Sequence, residues 1–152
     1  MLNTNDMKEL ALFRIGDALF GIDIVHIQEI NKNLSFTQIF NVEKHIRGVL
    51  NLRGDIVTVI DLRIMFHRPA SDENPDRRVI IINHADESVG LLVDSIDDII
   101  YVEPERLETG ATRMDGVNPA FFSGVYKLDE EVVIILDVDE ILRLDEQYAT
   151  AS

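Results

Sequence analysis

The sequence predicts an all-β protein made of two small barrels related by internal duplication, with helix confined to short turns. Three observations predict this. First, about ten short apolar runs, bounded by glycine and polar turn residues, cross the 152 residues, and none holds a helical period for long. Second, the stretch Gly48 to Phe66, GVLNLRGDIVTVIDLRIMF, returns without a gap as GVYKLDEEVVIILDVDEIL from Gly124 to Leu142, a constant shift of 76 (48 to 124). That shift puts Leu52 on Leu128, Ile56 on Val132, Ile60 on Leu136, Asp61 on Asp137 and Met65 on Ile141. Third, Phe20-Gly21-Ile22 with Ile27, Glu29 and Ile30 repeats as Val89-Gly90-Leu91 with Ile96, Asp98 and Ile99, a shift of 69 for the glycine (21 to 90). Closure into barrels hides strand edges that would otherwise pair between molecules.

In chain order, residues 1–7 are polar and loose. Leu10, Leu12, Phe13 and Ile15 make a strand, Gly16-Asp17 a turn, and Ala18 to Asp23 the return strand. A brief helical turn at Ile24 to His26 precedes a strand from Ile27 to Asn31. Residues 31–41 connect, and Asn41 is placed to cap a short helix through His45 and Ile46. Next comes the repeated unit: a strand to Leu52, a tight turn at Arg53-Gly54-Asp55, a strand to Ile60, and Asp61 capping a helical turn from Leu62 to Phe66.

Two prolines and a cluster of turn formers make 68–77 a linker. Arg78 to Asn83 reads as a strand buried on both faces, Ala85 to Ser88 as a turn and Val89 to Val93 as its return. Ile99 to Val102 is a further strand, residues 105–121 are loop, and Asp139 to Leu144 form a closing helical turn before a polar tail. The expected organisation is one domain over 8–145. Its subdomains fall near 8–67 and 78–145, with strands free to interweave between them.

At this length, with 46% hydrophobic residues, the chain can bury a sizeable core. It has no cysteine, no apolar stretch long enough to span a bilayer and no signal-peptide start, which points to the cytosol. With 28 acids against 14 bases its formal charge is −14, which repels phosphate backbones and anionic lipid. Nucleic acid and direct membrane insertion are therefore not expected.

Enzyme signatures are absent. His26, His45, His67 and His84 lack metal-site spacing, and Asp97-Asp98 and Glu130-Glu131 point to opposite faces if they lie on strands. No nucleophile motif or phosphate-cradling glycine loop occurs, so no cofactor is expected. Asp61 and Asp137 follow buried strands, a position that can carry catalysis, but their duplicate placement favours capping. Arg53, at a hairpin tip in an acidic chain, is suited either to a carboxylate or carbonyl on a partner or to an internal acid.

GVLNLRGDIVTVIDLR closely resembles the central motif of the CheW family, the coupling proteins of bacterial chemotaxis. Gly21-Ile22-Asp23-Ile24 with Val25 to Ile30 resembles its earlier signature, and the likeness runs from about Leu10 to Leu144, nearly the whole chain. The resemblance implies two SH3-like five-stranded barrels joined through a shared core. It also implies a non-enzymatic adaptor that binds the regulatory domain of the histidine kinase CheA and the cytoplasmic tips of methyl-accepting chemoreceptors, at the inner face of the membrane. Carried over by position, receptor contact falls on Ile24, Ile27, Glu29, Gly48, Arg53, Val79, Ile96 and Ile99, in the groove between the halves, with kinase contact at exposed barrel ends.

Thr58 stands where the family often has proline, and Asn31 where a basic residue is frequent. His67-Arg68 and the acidic linker also depart from common forms, which bears on the partner rather than on the family. The same module can serve a non-flagellar kinase pathway such as pilus motility, or belong to a longer protein with a receiver domain. From another class, the alternative is a small acidic β-barrel enzyme using Asp61 or Asp137.

Overall fold

The structure, a computed structural model, describes residues 7–110 and 113–143. The expected loose residues 1–6, the polar tail and the last residue of the closing helical turn lie outside the described residues.

The opening hairpin pairs β1 (Glu9–Ile15) with β2 (Ala18–Asp23), and a 3-10 turn at Ile24–His26 leads into β3 (Ile27–Asn31). Asp23 caps that turn by accepting the Val25 N–H at 3.2 Å. The hairpin of β4 (Ile46–Leu52) and β5 (Asp55–Asp61) runs into α1 (Leu62–Met65). Then follow β6 (Arg78–His84), β7 (Glu87–Val93), β8 (Ser95–Tyr101), β9 (Leu107–Thr109), β10 (Phe122–Lys127), β11 (Val132–Leu136) and α2 (138–143). The β4–β5 and β6–β7 turns each place two residues at positive φ, Arg53 (51°) with Gly54 (90°) and Ala85 (50°) with Asp86 (65°). That geometry matches the right-handed twist of the flanking strands.

Two sheets result, one ordered β8-β1-β2-β11-β10-β9 and the other β3-β6-β7-β5-β4. Apart from β9, which the first adds beyond β10, they are the same sheet drawn twice. Each has a central parallel pair, β2 with β11 and β7 with β5, flanked by antiparallel neighbours. Gly21 lies opposite Ile135 in one and Gly90 opposite Val59 in the other. The backbone agrees as well, since the Asp61 N–H donates to the His45 carbonyl at 2.6 Å and the Asp137 N–H to the Phe121 carbonyl at 2.7 Å, a matched pair under the 76-residue shift.

The barrels do not follow the two halves of the chain. The second sheet is continuous from Ile27 to Val93, whereas the first takes β1 and β2 from the start and β8 to β11 from the end. The opening hairpin of each half thus completes the sheet that contains the closing hairpin of the other half. The expected boundaries near 8–67 and 78–145 therefore do not coincide with the two sheets, whose strands interweave between the halves, and the 68–77 linker connects α1 to β6 within one barrel's run of chain. The chain crosses between barrels at the 3-10 turn and again at Asp94.

Three apolar clusters follow from this exchange. Leu50, Leu52, Val57, Val59, Val79, Ile81 and Leu92 fill the 27–93 barrel. Leu10, Leu12, Leu19, Tyr126, Val133 and Ile135 fill the other, with Leu10 and Leu12 standing where Val79 and Ile81 stand in the first. Between the barrels lies a larger shared core that holds Phe13, Phe20, Phe66, Phe121 and Phe122. Phe20 stacks on Phe66 at 5.4 Å and on Phe13 at 5.8 Å between ring centroids. Strand β6 explains its apolar run: Val79 and Ile81 face its own barrel, Ile80 and Ile82 the shared core.

Some local expectations fail for physical reasons. Asn41 has φ 61°, the left-handed region, whereas an N-cap needs extended backbone; residues 41–45 bend and turn, and Ile46 opens β4. Strand β8 begins at Ser95 rather than Ile99, because its edge position tolerates the exposed Asp97 and Asp98. Short β9 lies inside the expected loop and pairs with β10.

Candidate functional site

The eight predicted contact residues divide into two groups. Ile24 in the first crossover, Ile27 at the start of β3 and Ile96 near the start of β8 are half-buried and pack against the shared core. Ile99, opposite Ala11 on the edge strand β8, is 53% exposed. Glu29 on β3 is half-buried and Arg53 is exposed. These six are available to a partner.

Val79 and Gly48 are not. Val79 has no exposed surface and belongs to the core of its barrel, as its counterpart Leu10 does to the other. Gly48 is buried at a bulge in β4 with φ 144°, and a Cβ there would lie 2.3 Å from the Thr37 carbonyl oxygen. Its counterpart Gly124 meets the Glu108 carbonyl at 2.4 Å in the same way. Both glycines admit a crossing backbone segment, a structural role rather than a contact.

Arg53 and Glu29 meet as an ion pair: Arg53 Nη2 bonds Glu29 Oε2, and Nη1 lies 3.5 Å from Oε1. Strands β3 and β4 are the two edges of their sheet, so the pair spans the seam of the barrel. Asn31 Nδ2 donates to Glu29 Oε1 at 3.2 Å, and Asn51 Oδ1 accepts the Gly54 N–H at 3.1 Å, fixing both ends of the bridge. The hydrogen bond from Arg53 holds the Glu29 carboxyl below its ordinary pKa against partial desolvation, with Asn31 helping. Of the two uses left open for Arg53, the internal acid is realised, while 65% of its side chain remains accessible.

A residue that sequence reasoning missed is Arg63, which is wholly buried. Its Nε and Nη2 grip Asp61 Oδ1 and Oδ2 at 2.9 and 2.8 Å, in the fork geometry that suits guanidinium to carboxylate. Nη1 donates to the Ser71 carbonyl at 2.7 Å and lies 3.5 Å from Asp94 Oδ1, while Nη2 reaches Asp72 at 3.1 Å. Burial works against its charge, but Asp61, then Asp72 and Asp94, outweigh that and raise its pKa. Asp72 is also bound by Arg47, which with Arg63 holds its carboxyl below the ordinary range.

Asp61 therefore has two structural duties, capping α1 through the Arg63 N–H at 3.0 Å and holding the Arg63 side chain. It has no exposed surface and could not reach a substrate. Asp137 caps α2 through the Glu140 N–H at 3.1 Å. Among the described residues no cluster of three or more His, Cys, Asp or Glu could hold a metal.

The profile of the CheW-like domain matches residues 9–146. The chain belongs to the CheW family. It is similar to the chemotaxis protein CheW of Klebsiella aerogenes, 31% identical over 139 residues that cover 91% of this chain and 84% of the relative. It is likewise 31% identical over 133 residues to the chemotaxis protein CheW of Helicobacter pylori, covering 88% of this chain and 80% of that one. Among solved structures, the scaffolding protein TtCheW from Thermoanaerobacter tengcongensis superposes with a TM-score of 0.80 at 30% identity, covering 87% of this chain and 90% of that one. CheW-family proteins are scaffolding adaptors rather than enzymes, in keeping with the buried Asp61. The paired sheets are the two SH3-like subdomains of the CheW fold. Among the described residues no helix is long and apolar enough to cross a membrane.

Proposed function

We propose that this CheW-family chain couples the cytoplasmic tips of methyl-accepting chemoreceptors to the regulatory domain of the histidine kinase CheA, holding both at the inner face of the membrane. The observation that carries the reading is the set of half-buried aliphatics Ile24, Ile27 and Ile96 against the shared core, with Ile99 exposed beyond them. Completing their burial under a receptor helix pair yields about 25 cal/mol per Å² of apolar surface. The Glu29–Arg53 bridge supplies a polar rim that sets register.

Kinase contact fits the barrel ends. Ile56 and Val132, equivalent under the 76-residue shift, are 65% and 51% exposed at the start of β5 and β11. Each barrel so presents an apolar position to a partner of similar shape. Signalling then works through binding energies: small changes in how one partner is held alter the affinity for the other.

The test is reconstitution with receptor-containing vesicles and CheA. Receptor control of kinase activity that requires this chain supports the reading. Control that is unchanged when the chain is left out, with no binding to either partner, rejects it.

A further inference from the structure

Each crossover between the barrels is held by an aspartate, but the two anchors are unequal. Asp23 makes a local cap in the first. Asp94, in the second, is built into three parts of the molecule at once. Its N–H donates to the Arg14 carbonyl at 3.0 Å and its Oδ2 accepts the Gly16 N–H at 2.6 Å, which fastens it to the β1–β2 hairpin of one barrel. Its carbonyl accepts from Asn74 Nδ2 at 3.0 Å, on the linker, and its Oδ1 faces Arg63 Nη1 at 3.5 Å, from the α1 helix of the other barrel.

We infer that Arg63 is a positioning residue for the groove: through Asp94 it fixes where β8 leaves one barrel for the other, and so where Ile96 and Ile99 stand. Strand β8 begins at Ser95, directly after Asp94, and it is the outermost strand of its sheet, paired with β1 on one side, while at its far end the Tyr101 carbonyl accepts from the Tyr126 hydroxyl at 3.4 Å. A displaced edge strand moves Ile96 and Ile99 together with Ile100, which packs against the cluster of Leu10 and Ile135 inside the barrel. Arg63 reaches Asp94 with a guanidinium already locked by Asp61 and Ser71, so the anchor is pre-organised. The duplication makes no second copy of this device, because Asp139 occupies the position equivalent to Arg63.

This inference rests on the receptor reading of the groove for its functional consequence, but not for its structural one. The chain has no cysteine, so Tyr101→Cys on β8 and Asn83→Cys on β6, both exposed, can carry spin labels whose separation is read by double electron–electron resonance. With Arg63 in place a single narrow distance is expected. Arg63→Met is expected to broaden or shift it, Arg63→Lys to restore it in part, and Asp94→Asn to reproduce the Arg63→Met result in a variant that keeps the buried Asp61–Arg63 pair. Without labels, Asp94→Asn is expected to bind a chemoreceptor cytoplasmic hairpin fragment about tenfold more weakly while CheA regulatory-domain binding holds within about twofold.

An unchanged distance distribution in folded Asp94→Asn overturns the inference, whatever happens to melting temperature. If the parent protein does not bind the receptor fragment, the functional reading fails, and the distance measurement still decides the role of Arg63.

Discussion

Arg53, at the tip of the β4–β5 hairpin, is ion-paired with Glu29 on β3, the strand at the opposite edge of the same sheet. The pair is exposed enough for water and salt to screen it, so its value lies in geometry more than in stability. Arg53→Glu is expected to leave the circular dichroism spectrum and the melting temperature nearly unchanged and to weaken receptor-dependent kinase activation. Full activation by that variant in a reconstituted assay would remove Arg53 from the contact surface.

Acid should loosen the molecule in a defined window. Glu29, bonded by Arg53, and Asp72, bonded by Arg47 and Arg63, both have lowered pKa values in the folded state. A lowered pKa contributes stability that is present above the unfolded value of about 4 and is lost as pH falls through the folded value. Denaturant midpoints measured from pH 7 downward are expected to hold near neutrality and fall below about pH 4. Glu29→Gln with Asp72→Asn should flatten that fall; an equally steep decline would assign it to other carboxylates.

Removing Arg63 strips the wholly buried Asp61 carboxyl of its bidentate partner and leaves it Arg47 at 3.9 Å. Arg63→Ala is expected to cost about 3–5 kcal/mol, a large share of a small domain's stability. Replacing both members, Asp61→Leu with Arg63→Met, should cost much less than the two single changes added together. Urea denaturation of the parent, Asp61→Leu, Arg63→Met and the double variant measures the coupling, with Arg63→Ala measured alongside, and strict additivity would mean that the pair is not coupled.

Glycine positions should rank by what a methyl group meets. Gly48→Ala and Gly124→Ala drive a Cβ to within 2.3 and 2.4 Å of a backbone carbonyl oxygen and are expected to cost about 2 kcal/mol or more each. At Gly16, φ is 61° and nothing lies within 4 Å, so Gly16→Ala should cost about 1 kcal/mol from backbone strain alone. Thermal melts that reverse this order would contradict the crossing of Thr37 and Glu108 over these bulges.

Much of the fold is legible because local signals agree with it. Gly16-Asp17 between two apolar runs gives the first hairpin to the residue, and Arg53-Gly54-Asp55 marks the second, with Asp55 already the first residue of β5. The repeat is legible too, since Asp61 and Asp137 do the same backbone work in both copies. Which copy's hairpin pairs with which is not legible. Leu10 and Val79 are interchangeable as side chains, so periodicity cannot say that β1 and β2 complete the distant barrel.

At the site, Ile24, Ile27 and Ile96 are half-buried and Ile99 is exposed, whereas Val79 alternates inward on a strand buried on both faces. Arg63 escapes sequence reading because a charged residue in a helical turn normally faces water. A signal was present: the repeat keeps aspartate at 61 and 137 but puts Arg63 against Asp139, and Asp139 pairs instead with His84 at 3.2 Å. A broken symmetry beside a cap present in both copies marks the spot where the two copies do different work.

Titration calorimetry with two purified partners, a chemoreceptor cytoplasmic hairpin fragment and the CheA regulatory domain, tests the central claim most directly. The account predicts that each partner binds alone and that a ternary complex forms with both bound at once. Heats of dilution alone with both partners, from protein shown to be folded, would contradict it.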